Sequence, residues 1–266
     1  MSKIAKLPPR LPRLSPLSFA LSIGVAAVVI VSILQVAPSV GQLADGVPNL
    51  ANLVSRMLPP NLESAFLQRT FWRILETFQI ALAGAVIGIV ISLPIAWISA
   101  RGVGPFGRIG AFLTKAFVSF LRTVPDLVWA LLFVATVGLG AVARTMTIVV
   151  DTIGFCGRFF AEVIEDSEKE PQEAISAIGG NRLSILFGAI IPDVMPSLIN
   201  SSLFALEKAV RSSVVLGLVG AGGIGQELKV AFDMFQYRNA STIILVIFVI
   251  VLGMEWVTDR LRRKLQ

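Results

Sequence analysis

The 266-residue sequence has no histidine. The commonest metal ligand, and the side chain that most readily exchanges protons near neutral pH, are therefore missing. That argues against a metalloenzyme or a membrane hydrolase. A single cysteine, Cys156, has no second thiol to pair with inside the chain. It sits in an apolar run and reads as a small buried hydrophobe. Charge is also scarce: 15% of residues are Asp, Glu, Lys or Arg, against about a quarter in soluble domains. No G-x4-G-K-[S/T] phosphate loop occurs, so ATP hydrolysis is not expected of this chain, nor is a metal or cofactor of its own. Internal repeats and low-complexity stretches are absent too.

What the sequence has is apolar length. Hydrophobic residues make up 55% of it, and six windows approach or exceed the roughly 20 residues that cross a bilayer. They lie at about 17–37, 74–100, 109–140, 142–164, 187–219 and 240–257. The expected fold is an all-α polytopic membrane protein with six transmembrane helices. Residues 1–16 form a basic, proline-rich tail, and 17–37 a separate N-terminal helix. The first apolar stretch is too long for a signal peptide and lacks a small-x-small cleavage site, so it reads as an uncleaved anchor. An external loop with short helical pieces follows at 38–70, then a core at 71–258 and a second basic tail at 259–266. An even span number puts both basic tails on one side, which the positive-inside rule makes the cytoplasm. Twelve Lys and Arg then fall inside and six outside, the latter including Arg69, Arg73 and Arg144. The net charge of +6 is thus mostly topological. Membrane lipid is the implied surroundings, and no basic face interleaved with aromatics points to nucleic acid.

One polar, helix-prone segment separates the fourth and fifth spans, on the cytoplasmic side. Pro171 suits the first turn of a short helix. Ala174, Ile175 and Ile178 share one face by the i, i+1, i+4 pattern, and Gly179-Gly180-Asn181 ends the helix. Glu173-Ala174-Ile175-x3-Gly179 continues in register to Ala189-Ile-Ile191-Pro192. This matches, with three small departures, the Glu-Ala-Ala-x3-Gly-x9-Ile-x-Leu-Pro signature of importer permeases of the ATP-binding cassette (ABC) class. The core from about residue 71 to 257 resembles the methionine-type branch of those permeases. Within that branch it is most similar to phosphonate-importer permeases, on Arg122-Thr-Val-Pro125-Asp-Leu-Val-Trp and on the run 214–225.

The resemblance implies a type I importer permease fold with a cytoplasmic coupling helix at about 168–187. It further implies two copies of the chain, two cytoplasmic ATPase subunits that bind ATP and Mg2+, and an extracytoplasmic solute-binding protein, all at a bacterial inner membrane. Glu173, Ala174, Ile175, Ile178, Gly179 and Pro192 would then make the contact with the ATPase. The solute would be phosphonate, phosphate or phosphite; another small solute such as an amino acid is the alternative. An ion-coupled secondary transporter is a weaker one, because such proteins carry paired inverted repeats.

Two further groups bear on a pathway. Glu207, Lys208 and Arg211 lie within the fifth apolar window, where charge is expensive and faces protein or water. Glu207 and Arg211 stand at i, i+4, so they can pair structurally; equally, Arg211 and Lys208 can offer an anionic solute a favourable field. Arg122 lies beside Pro125, where residues before proline avoid helical geometry, so the third window should break there. The run Gly220-Ala-Gly222-Gly223-Ile-Gly225 satisfies G-x-G-x-x-G only formally, since no βαβ unit surrounds it. It reads instead as a flexible external turn near a gate.

Overall fold

The computed structural model describes residues 15–36 and 40–264. Most of the N-terminal basic tail therefore lies outside the described residues. Among those described, every regular element is helical. The chain separates into two compact units, one ending at Ser55 and the other running from Arg56. The first holds α1 (Pro16–Val36), uncharged throughout, and most of α2 (Val40–Met57). Of residues 40–70, expected as a loop with short helical pieces, most are helical. In α2 the spacing of Val47, Leu50 and Val54 forms an apolar stripe that carries the helix through Pro48. The next helix, α3, already begins at Ser64.

The second unit contains α3 (Ser64–Ser99), α4 (Gly107–Thr123), α5 (Asp126–Val137), α6 (Ala141–Glu165), α7 (Lys169–Ala177), α8 (Arg182–Ile185), α9 (Ile191–Leu216), α10 (Gly223–Asp233) and α11 (Tyr237–Arg262). Its centre is the parallel pair α3 and α6, which run side by side from Glu76–Arg144 at one end to Arg101–Glu165 at the other. Gly84 and Gly88 let the two backbones meet: a Cβ on Gly84 would fall 2.7 Å from Ile148 Cγ2, and one on Gly88 only 2.5 Å from Thr152 Cβ. This is the close approach that small residues four apart permit between membrane helices. Around that seam, Ala96, Cys156, Phe160, Ile164, Ile190 and Val194 form the core at the end nearest α7. Ile74, Ile224, Ala240 and Ile243 form it at the far end. Cys156 is fully buried, as its apolar surroundings imply.

Among the described residues, α1, α3, the run Arg182–Gly220 and α11 are each long and apolar enough to cross a bilayer. The helices α4 and α5 make a fifth candidate, bent by 87°. The bend falls where proline places it: Val124 is extended (φ −76°, ψ 121°) and Pro125 precedes the first residue of α5. The remaining expected span, the fourth (142–164), is α6. Its 25 residues rise about 37 Å, more than the roughly 30 Å of a hydrocarbon core. It falls short in apolarity alone, since it carries Arg144, Asp151, Arg158 and Glu162. Arg144 and Asp151 are matched by residues of α3 and α9.

Three expectations are corrected here. Arg144, counted among the external cations, is fully buried: it sits in the first turn of α6 on the face packed against α3. The tail at 259–266 begins as helix, since α11 runs on to Arg262. The glycine run is a turn, but a packed one: Gly223, Ile224 and Gly225 are buried. Gly223 has φ +70°, and a Cβ there would collide with Arg144 Nη1 and Thr77 Oγ1. Only glycine can occupy that position without displacing a buried guanidinium.

Candidate functional site

The first part of the site is the polar segment α7–α8. Pro171 lies in the first turn of α7, and Glu173, Ala174 and Ile178 are exposed, Ile178 by 85%. Ile175 departs from the expected docking face. It is half-buried, turned back toward Gly180 and Gly188, whose missing side chains make room for it. Gly179 takes φ +84°, which ends α7. Asn181 then caps α8, its Oδ1 accepting from the Ser184 N–H at 2.8 Å. Pro192 stands at the start of α9, which five residues separate from α8. Pro192 and Pro196 have no N–H to give the preceding turn. The turn at Leu186–Ile190 is widened, with the Ile191 N–H reaching back to Leu186 O. Such widened turns are common at functional sites.

Two ties hold this segment to the bundle, and neither is legible in the motif. Asp193 Oδ2 accepts from the Glu168 N–H at 3.1 Å, joining the start of α7 to α9. Arg182 Nη1 donates to the carbonyls of Gly104 and Pro105, at 2.7 and 2.9 Å. The α7–α8 segment is thus an exposed arm anchored at both ends: to α9 and to the loop after α3. A force applied to it reaches those elements directly.

The second part is a band of charge where α4 breaks. The backbone of Leu121 and Arg122 packs on Gly154, near the middle of α6. Arg122 is exposed, lies over the Phe159 ring at 5.7 Å, and has no carboxylate partner among the described residues. Asp126, in the first turn of α5, accepts from Ser212 Oγ at 3.3 Å. Its negative charge also suits the helix N-terminus. Lys208 Nζ donates to Asp151 Oδ1 at 2.7 Å and lies 5.6 Å from the Phe155 ring centroid. Glu207 is clamped twice, by Arg211 Nη2 at 2.9 Å and Arg262 Nη2 at 3.4 Å. Arg262 also lies over Phe204, which stacks on Phe155, which in turn meets Phe159 at 4.6 Å. Arg122, Lys208 and Arg262 therefore rest on one continuous strip of rings.

The structure brings Glu207, Lys208 and Arg211 into this band and resolves their pairing differently for each. Arg211 does pair with Glu207, but its side chain stays 47% exposed. Lys208 has its own acid, Asp151, 57 residues earlier. Arg122 is the cation least neutralised by protein. The glycines Gly220, Gly222, Gly223 and Gly225 belong elsewhere, at the far end. There Arg144 Nη2 donates to Glu76 Oε1 at 3.0 Å, Arg73 Nη1 to Glu76 Oε2 at 3.1 Å, and Arg73 Nε to Glu227 at 3.3 Å. Thr77 Oγ1 accepts the Ile224 N–H at 3.0 Å, stitching the turn to α3. Asp151, Asp193, Arg144, Glu76 and Arg262 escape a sequence reading because each partner is 25 to 68 residues away. A charge inside an apolar window is the one signal that could have flagged Asp151.

Comparison with known proteins gives the same outline. Residues 92–266 match the family model described as binding-protein-dependent transport system inner membrane component. The phosphite transport system permease protein PtxC of Stutzerimonas stutzeri is 33% identical over 222 residues, covering 83% of this chain and 79% of the relative. The phosphate-import permease protein PhnE of Mycolicibacterium smegmatis is 35% identical over 79% of this chain, which spans 40% of that longer protein. Among solved structures, a chain of the inward-facing MetNI methionine ABC transporter superposes with a TM-score of 0.65 at 21% identity. It covers 77% of this chain and is itself covered completely.

Proposed function

The chain belongs to the family of binding-protein-dependent transport system inner membrane components, and on that premise we propose that it is the permease subunit of an ATP-driven importer for a phosphorus oxyanion. The observation that carries the substrate class is the naming of its relatives: the proteins 33% and 35% identical to it are a phosphite permease and a phosphate permease. Phosphonate, phosphite and phosphate share the tetrahedral, multiply hydrogen-bonding chemistry that guanidinium groups complement. Arg122, the least neutralised cation of the charged band, is the residue we assign to transient solute contact, with Arg211 second.

In this reading two copies of the chain line the pathway in a bacterial inner membrane, with both termini cytoplasmic. Two cytoplasmic ATPase subunits hold ATP and Mg2+ and receive the arm that carries Glu173, Ala174 and Ile178. An extracytoplasmic binding protein delivers the solute. Closure of the ATPase pair moves the two arms, and the Asp193 and Arg182 ties pass the motion to α9 and to the loop after α3. The pathway opens outward, takes the solute, and releases it inward after hydrolysis. The glycine turn, packed on Arg144, serves as a stiff element of the outer gate.

The test is reconstitution of the permease with its ATPase and binding protein in liposomes, with uptake of radiolabelled phosphate, phosphite and methylphosphonate compared with that of methionine. Uptake of any of the first three, dependent on ATP and on the binding protein, is expected. Uptake of methionine alone would overturn the substrate class and leave the permease assignment standing.

A further inference from the structure

A cavity of about 240 Å3 opens among α3, α4 and α6 at the α7 end of the core. Its walls include Ser99, Arg101, Lys115, Ser119, Arg158 and Glu162. Three cations there meet two carboxylates. Arg158 Nε donates to Glu162 Oε1 at 2.8 Å, and Lys115 Nζ to Glu165 Oε1 at 2.7 Å. Glu165 Oε1 also accepts the Arg101 N–H. Among the described residues, these bonds leave the Arg101 guanidinium and both terminal nitrogens of Arg158 without a protein acceptor. One positive charge is in excess.

Ser99 supplies an independent sign. It is 1% exposed, and its hydroxyl has no hydrogen-bond partner. Ser92, two turns earlier on the same helix and equally buried, donates to Gly88 O at 2.7 Å. A buried hydroxyl left unpaired costs about 1–3 kcal/mol, so a missing acceptor on this wall calls for explanation. An anion with several acceptor oxygens meets the need of the hydroxyl and of the two guanidinium groups together. The volume lies below the roughly 300–1,000 Å3 of sites for drug-sized ligands, which suits a single tetrahedral group and not a nucleotide.

We propose that this cavity binds a phosphoryl oxyanion, as free phosphate or as the headgroup phosphate of an anionic lipid. The site does not depend on which solute the protein carries. Both sources have access to it: Arg158 and Glu162 of its walls are exposed to solvent, and α4 beside it exposes Phe106, Ile109, Phe112 and Leu113 just before and within its first turns. Basic pockets at the inner face of membrane helices are a known setting for lipid headgroups. Arg101 also begins the loop whose Gly104 and Pro105 carbonyls Arg182 holds. An anion bound here therefore sits against the anchor of the α7–α8 arm.

The full chain is placed in nanodiscs of phosphatidylcholine, and binding of radiolabelled inorganic phosphate is measured at ionic strength fixed with chloride. Saturable binding is expected, weakened about tenfold by Arg158→Gln, the loss of one charge-assisted contact of about 1.4 kcal/mol. Ser99→Ala should weaken it severalfold and, by removing an unpaired hydroxyl, leave folding intact. Lys229→Gln, in an exposed pair with Asp233 at the other end, should change nothing. A parallel set of discs contains phosphatidylglycerol, and the lipid retained by the purified protein is quantified. Retention lost in Arg158→Gln and Ser99→Ala, with no phosphate binding in the first arm, identifies the lipid headgroup as the source. If neither phosphate binding nor phosphatidylglycerol retention responds to these two substitutions, the proposal fails.

Discussion

The two ends of the core handle charge in opposite ways. At the α7 end, Asp193 and Arg182 are exposed, and each fastens one surface segment to another through backbone groups. At the far end, Arg144 is sealed from solvent, with Nε and Nη1 unpartnered and Glu76 as its neutralising carboxylate. The first arrangement ties an exposed arm to α9 and to the loop after α3 without burying charge. The second stiffens a turn, because the guanidinium fills the space beside Gly223. A surface tie and a buried strut use the same residue types, and the dielectric around them decides what each is worth.

The largest effect should come from breaking the strut. Glu76→Leu leaves Arg144 buried without a counter-charge, and we expect a loss of about 3–5 kcal/mol, measured by chemical unfolding in mild detergent. A loss under about 1 kcal/mol would mean that Arg144 reaches water and that the two ends are alike after all.

The charged band lies between these extremes. Arg211→Gln leaves Glu207 with Arg262, so about 1 kcal/mol is expected for the single change. Arg211→Gln with Arg262→Gln strands the carboxylate and should cost about 3 kcal/mol. The same unfolding measurement checks both. Additive small losses would show that Glu207 is solvated instead of clamped.

At the α7 end, stability should barely move while function does. Gly179→Trp meets open space, and its strained φ is confined to a surface turn, so the core should stay within about 1 kcal/mol of wild type. ATP hydrolysis should continue while solute uptake falls about tenfold, the signature of lost coupling. Normal uptake in this variant would remove α7 from the ATPase contact.

The smallest effect on the fold should be that of Arg122→Gln, within about 0.5 kcal/mol, because the residue is exposed and has no carboxylate to strand. Uptake of an oxyanion is expected to drop severalfold, with assembly intact by size-exclusion chromatography. Unchanged uptake would place the solute contact elsewhere in the band and sharpen the case for Arg211.

Much of the bundle could be read from the chain because apolar length and proline act locally. The bend at Val124–Pro125 follows from a clash between neighbouring residues, and the end of α7 at Gly179 from a backbone angle that side chains disfavour. The exposed arm from Glu173 to Pro192 is likewise local: a short helix, a cap and a restart, with no distant partner needed to recognise it. The 38–70 segment, read as a loop with short helical pieces, holds more helix than that for a related reason. Its prolines and glycines argue for loop, yet the apolar stripe of α2 and the early start of α3 outweigh them.

What only the tertiary structure decided is which charges answer which. Lys208 looked like a companion of Arg211 and turned out to serve Asp151. Arg144 looked external and is the most deeply buried charge of the core. The glycine run looked flexible and is locked by that same arginine. In each case the deciding contact joins residues on different helices, and electrostatic energy depends on distance and burial in space, neither of which spacing along a chain records. Helix existence, the break, and the exposed arm were set by local sterics and periodicity. The pairing of the charges was set by how α3, α6 and α9 pack.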